Sequence, residues 1–76
     1  MTIDVELFDK ETEKLVEEFD ISHIGARVVA EILGITEEEL AFSWPLSGDQ
    51  RDALFRRAGI SPSVEGCDVF VTAHSS

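Results

Sequence analysis

The sequence predicts an α+β fold that is mostly helical, with about four short helices and a two-stranded sheet pairing the N- and C-terminal strands. Three observations lead there: strand-like patterns at both ends, apolar residues at helical spacing through the first half, and capping boxes and glycine stops in the middle. Thr2-Ile-Asp-Val-Glu-Leu7 alternates polar and apolar, with Ile3, Val5 and Leu7 on one side, and reads as a short strand. Asp9 is placed to cap a helix over 10–19, in which Thr12, Leu15, Val16 and Phe19 share a face and Glu11, Glu13, Glu17 and Glu18 lie opposite with Lys10 and Lys14. Asp20-Ile-Ser22 interrupts this pattern, and Ser22 is an N-cap candidate for a second helix running to Leu33. Its apolar residues Ile24, Val28, Val29, Ile32 and Leu33 leave His23, Arg27 and Glu31 as a narrow polar stripe, so it is expected to be the most buried helix.

Gly34 suits the left-handed position after that helix, with Ile35 folding back on the last turn. Thr36-Glu-Glu-Glu39 is a capping box that opens a third helix through Leu40, Phe42 and Trp44, which Pro45 ends. A second capping box, Ser47-Gly-Asp-Gln50, opens a fourth helix to about Ala58, and Gly59 and Ile60 repeat the stop signal. Cys67 to Ala73 is rich in β-branched and aromatic residues and reads as a strand. One strand alone leaves its backbone unsatisfied, so pairing of 2–7 with 67–73 is the economical solution. With no linker and no internal repeat, residues 1–76 form one expected domain.

Charge narrows the functional classes. Sixteen Asp and Glu against six Lys and Arg give a net charge of −10 in 76 residues. Direct binding to DNA, RNA or an anionic membrane needs the opposite surplus, so the expected partner is a protein with a basic surface. A chain this short buries only about 60% of its unfolded surface, which leaves little room for an enclosed substrate pocket. Its 43% hydrophobic content, five Phe and one Trp distinguish it from a disordered acidic tail. Residues 1–39 hold twelve acids and three bases, net −9, so the negative charge belongs to the first half.

Cys67 is the lone cysteine, no Cys/His spacing fits zinc, and no apolar run approaches a membrane span. The acidic start is unlike a signal peptide, so the expected setting is cytoplasmic. No cofactor and no metal are expected. His23 and His74 are the only imidazoles, and Cys67 and His74 fall on opposite faces of a strand, so no nucleophile and base converge and an enzyme is not expected.

Three groups of residues carry the functional expectations. Ala30, Gly34-Ile35-Thr36 and Leu40 resemble a helix-turn-helix corner, but the positions that would meet DNA hold Glu37, Glu38 and Glu39, which phosphates repel. The corner therefore reads as a structural or protein-docking element. Glu11, Glu13, Glu17, Glu18 and Asp20, continued by Glu37, Glu38 and Glu39, form a candidate acidic face, with a solvated or halophilic surface as its plainer reading. Trp44, beside Phe42 and Pro45 and near Arg51, Arg56 and Arg57, is either an interface anchor or the largest core residue of a small domain. Leu15-Val-Glu-Glu-Phe-Asp20 resembles acyl carrier proteins faintly, but the Asp-Ser-Leu motif that carries their prosthetic group is missing.

Small size, acidity and lack of catalytic residues make the chain similar in character to phage-encoded anti-CRISPR and anti-restriction inhibitors. That resemblance implies a non-catalytic, nucleic-acid-mimicking inhibitor of a basic partner surface, acting as a monomer or homodimer. The alternative expectation is a helix-turn-helix-like regulator or antitoxin-type protein that uses its helical corner for dimerisation or docking.

Overall fold

Ile3, Val5 and Leu7 alternate with polar neighbours, and in the computed structural model, which describes residues 1–74, that alternation is a strand, β1 (Thr2–Asp9). It pairs antiparallel with the C-terminal strand Cys67–His74 along its whole length, from Thr2 opposite His74 to Asp9 opposite Cys67. The expected pairing of the two ends is therefore present, but it forms only the centre of the sheet. Two further strands flank it, β2 (Leu15–Asp20) beside β1, and β3 (Trp44–Pro45) beside the C-terminal strand β4, giving the order β2-β1-β4-β3. All neighbours are antiparallel. The helical content is two α-helices, α1 (Ala26–Leu33) and α2 (Gly48–Ala58), and two 3-10 turns, so the mostly helical fold with a two-stranded sheet is corrected to a four-stranded antiparallel sheet with helices on one side.

The largest correction falls on residues 10–19, which form a hairpin and not a helix. Asp9 does accept the main-chain N–H groups of Glu11 (2.8 Å) and Thr12 (3.0 Å), the chemistry expected of a cap, but it fixes a turn. Glu13 adopts φ 61°, which reverses the chain, and Asp9 N–H donates to the Lys14 carbonyl (2.9 Å) to close the hairpin. A bulge between Leu7 and Phe8 makes Val16 the extra residue on β2, because Leu7 faces Glu17 and Phe8 faces Leu15. The bulge breaks the two-residue period, and the edge position leaves β2 exposed on both sides, so its apolar residues mimic helical spacing.

The helix expected over 22–33 is split by Gly25 at φ 87° into a 3-10 turn, Ser22–Ile24, and α1. Ser22 caps no helix; its hydroxyl oxygen accepts the Ile3 N–H (2.9 Å) and holds the end of β2 against β1. Gly34 does take the left-handed conformation, φ 71°, and Ile35 N–H reaches back to the Ala30 carbonyl (3.0 Å). The Thr36/Glu39 capping box also forms, with Thr36 N–H on the Glu39 carboxylate (3.0 Å) and Glu39 N–H on the Thr36 hydroxyl (3.3 Å), yet it caps only the 3-10 turn Glu38–Ala41. The chain then extends at Phe42 so that Trp44 and Pro45 can pair with Val71 and Phe70. α2 matches its expected span, with both halves of the Ser47/Gln50 capping box made and Gly59 left-handed at its end.

One face of the sheet carries the core. Ile3, Val5, Leu7, Val69, Val71 and Ala73 point into it and meet Val29, Ala30 and Leu33 of α1, Leu54 and Phe55 of α2, and Ile21 and Leu40. Each large side chain buried there contributes about 1.5–3 kcal/mol. The alternate residues of the same strands point to the other face, and among the described residues no helix covers it.

Candidate functional site

That open face is where the chemistry gathers. Register places Asp20, Asp4 and Thr72 in one cross-strand row, Glu18, Glu6, Phe70 and Pro45 in the next, and Leu15, Phe8 and Asp68 in a third. Two consecutive rows thus set a carboxylate directly opposite a carboxylate, with Cβ atoms about 4.5–5.5 Å apart, an arrangement that destabilises a sheet. The Glu6 carboxyl registers this: burial first, then the charges of Glu18 and Asp4, push it above its ordinary value, against a smaller opposing pull from His74. Asp4 is buried, and His74 Nε2 lies 3.4 Å from its carboxylate. Asp20 is held below its ordinary value by the Ser22 hydroxyl and by the Ser22 N–H, which donates to it at 2.8 Å.

The other end of the open face is aromatic. Phe8 and Phe70 meet edge to face with centroids 5.7 Å apart. With Asp9, Glu13, Ser43 and Asp68 they line a shallow depression of about 340 Å³. Asp9 is held below its ordinary value by the N–H groups of Thr12 and Glu11. By contrast, the four arginines all lie on the helices, Arg27 on α1 and Arg51, Arg56 and Arg57 on α2. The helical layer also carries six acids and is nearly balanced, while the hairpin strands over residues 1–20 hold eight acids against Lys10 and Lys14.

The residues expected to form one acidic face are distributed by this geometry. Glu18 and Asp20 lie on the open face, and Glu13 lines the depression at its aromatic end. Glu11 is exposed in the hairpin turn, while Glu17 stands opposite Leu7 and so belongs to the other side of the exposed edge. Glu37 precedes, and Glu38 and Glu39 begin, the 3-10 turn whose Leu40 enters the core, so they sit on the helix-covered side and do not continue the sheet's acidic rows. Trp44 is half-buried against the core, opposite Val71, and its indole N–H donates to the Glu39 carbonyl at 2.6 Å. Sequence reasoning missed Asp4, Glu6, Phe8 and Phe70. The signal was present in the alternation of both central strands, whose non-core positions are the ones that face outward.

The helix-turn-helix-like corner resolves into α1, the Gly34 turn and a 3-10 turn, which offers no second helix to a groove. Among the described residues no three His, Cys, Asp or Glu side chains are grouped to hold a metal ion, and no helix is long and apolar enough to cross a membrane. No curated protein and no solved structure matches the chain. Residues 3–72, which contain both helices, β2, β3 and nearly all of β1 and β4, match the model described as Domain of unknown function (DUF7683), and the chain belongs to that family.

Proposed function

We propose that this protein is a non-catalytic binding module that acts in a cytoplasm and presents the open face of its sheet to a basic surface of a partner protein. One observation carries the reading: Glu6 opposite Glu18, and Asp20 opposite the buried Asp4, concentrate like charge on a face that among the described residues no helix covers. Such pairs weaken the fold, and a solubilising role would be served as well by carboxylates spread apart. A cationic partner surface relieves the repulsion, so the carboxylates favour binding where they oppose folding. A partner surface of this sign is also one that suits nucleic acid, and inhibition by occupying such a surface is the form of the activity we propose.

The test is capture of partners from cell lysate by the wild-type protein and by a Glu6→Gln/Glu18→Gln/Asp20→Asn variant, with fold checked by circular dichroism. The wild type should retain a basic protein that high salt or an added oligonucleotide releases, with association slowed in the variant through loss of electrostatic steering. Equal capture by the folded variant sinks the proposal.

A further inference from the structure

The depression at the aromatic end of the open face has a chemistry of its own. It is lined by the Phe8/Phe70 pair and by three acidic residues, Asp9, Glu13 and Asp68, with Ser43. No Lys or Arg lines it, although Lys10 and Lys14 stand in the same hairpin. Among the described residues none of the three carboxylates has an ion-pair partner; the bridges are Arg27 to Glu31, Arg51 to Asp52 and His74 to Asp4. An aromatic surface among carboxylates fits a cation that is itself partly apolar, because ring faces attract positive charge and the carboxylates neutralise it. It disfavours an anion on charge and a neutral apolar group on the desolvation of the carboxylates.

Glu13 occupies a left-handed turn position, φ 61°, where Gly or Asn is the easier choice. A glutamate there is conformationally costly, and Glu13 is one of the residues that line the depression.

We propose that this depression is the seat for an arginine side chain of the partner, the guanidinium lying against the Phe8/Phe70 rings between the carboxylates of Glu13 and Asp68. Arginine fits better than lysine because its planar group stacks on a ring and still offers in-plane donors to two carboxylates. The inference deepens the proposed function by naming the contact through which a basic surface would be recognised, and it rests on that reading.

The probe is the blocked amino acid N-acetyl-arginine methylamide, titrated into the intact protein and followed by NMR, with the matching citrulline and lysine derivatives as controls. Resonances of Phe8, Phe70, Glu13 and Asp68 should move with the arginine compound, less with lysine, and hardly at all with citrulline. Glu13→Gly should retain the fold, since glycine suits the turn, and should weaken the arginine response several-fold; Asp68→Asn should do the same. Equal responses to citrulline and arginine overturn the inference. So does movement confined to Asp4, Glu6, Glu18 and Asp20, an outcome that leaves the acidic-face reading standing. If the open face ignores both the arginine compound and a basic polypeptide such as polylysine, both readings fall.

Discussion

Leu7 and Glu6 are neighbours on β1, yet they belong to two different regions of the molecule. Leu7 is 1% exposed on the helix-covered face, where it packs into the apolar core although the exposed Glu17 stands beside it on the edge strand. Glu6 lies on the open face, opposite Glu18 and next to the Asp4/Asp20 row, where burial and then the charges of Glu18 and Asp4 disfavour its ionised form against a smaller pull from His74. The two faces of one sheet are therefore built to opposite rules: one is optimised for folding, and the other tolerates repulsion that folding does not need. The difference teaches that the acid is concentrated in the first hairpin without being confined to it: residues 1–20 hold eight acids and two lysines, whereas the helical layer sets all four arginines among six acids, Glu31, Glu37, Glu38, Glu39, Asp49 and Asp52.

The contrast is broken most severely from the core side. Leu7→Ala should destabilise the protein by about 2–5 kcal/mol, the usual cost of truncating a fully buried leucine, read as a lower urea midpoint with an unchanged slope. A loss below 1 kcal/mol would show that β1 is not the core strand described here. In the turn that connects the two strands, Glu13→Gly should act in the opposite direction and stabilise by about 0.5–1 kcal/mol, because it relieves a left-handed backbone at φ 61°. A destabilised glycine variant would mean that the glutamate side chain contributes to the fold.

Salt tests the open face as a whole. Added salt shortens the reach of charge from about 10 Å at 0.1 M to about 3 Å at 1 M, so screening should raise the stability of the wild type. The gain should be smaller in a Glu18→Gln/Asp20→Asn variant, from which one carboxylate of each facing pair is gone. Glu18→Gln alone should itself be more stable at low salt by roughly 0.2–1 kcal/mol, whereas Asp20→Asn gives up the Ser22 hydrogen bonds that favour the ionised carboxylate. Matching salt responses in thermal melts of the two proteins would show that the facing carboxylates do not repel.

What the sequence made legible divides along the same line. β1, β4 and α2 were readable because each combines a strong local signal with burial: alternation that ends in the core, or a capping box followed by a glycine stop. β2 was not, because an edge strand has no buried face to enforce alternation, and the Val16 bulge shifts the period so that Leu15, Val16 and Phe19 fall on a helical stripe. The Thr36/Glu39 box was chemically right and structurally overextended: local hydrogen bonds start a helix, but the demand that Trp44 reach the edge of β4 ends it after one turn. For the site, acidity was legible and arrangement was not. Facing pairs such as Glu6 and Glu18 depend on register across a hairpin, and register is invisible until the hairpin itself is recognised.

The finest test is pH, because it separates carboxylates that folding favours from one that folding opposes. Asp9 and Asp20 are held below their ordinary value of 3.8 by hydrogen bonds from the backbone and from Ser22. They bind protons less readily when folded, so their stabilisation is complete above 3.8 and is lost as pH falls through their lowered values. Glu6 is raised above its ordinary 4.5, so the folded protein binds its proton more readily than the unfolded chain does. Its penalty is fully present above the raised value, shrinks as pH falls through it, and is gone below 4.5. Stability should therefore rise as pH is lowered from 7 towards 4.5, then fall as Asp9 and Asp20 protonate. Glu6→Gln should abolish much of the rise and leave the fall, so urea midpoints of the two proteins should differ most at neutral pH and converge at the acid end. A difference that stays constant across that range would mean that Glu6 carries no penalty from its burial or from Glu18 and Asp4, and the facing pair would lose its claim to be a cost that binding relieves.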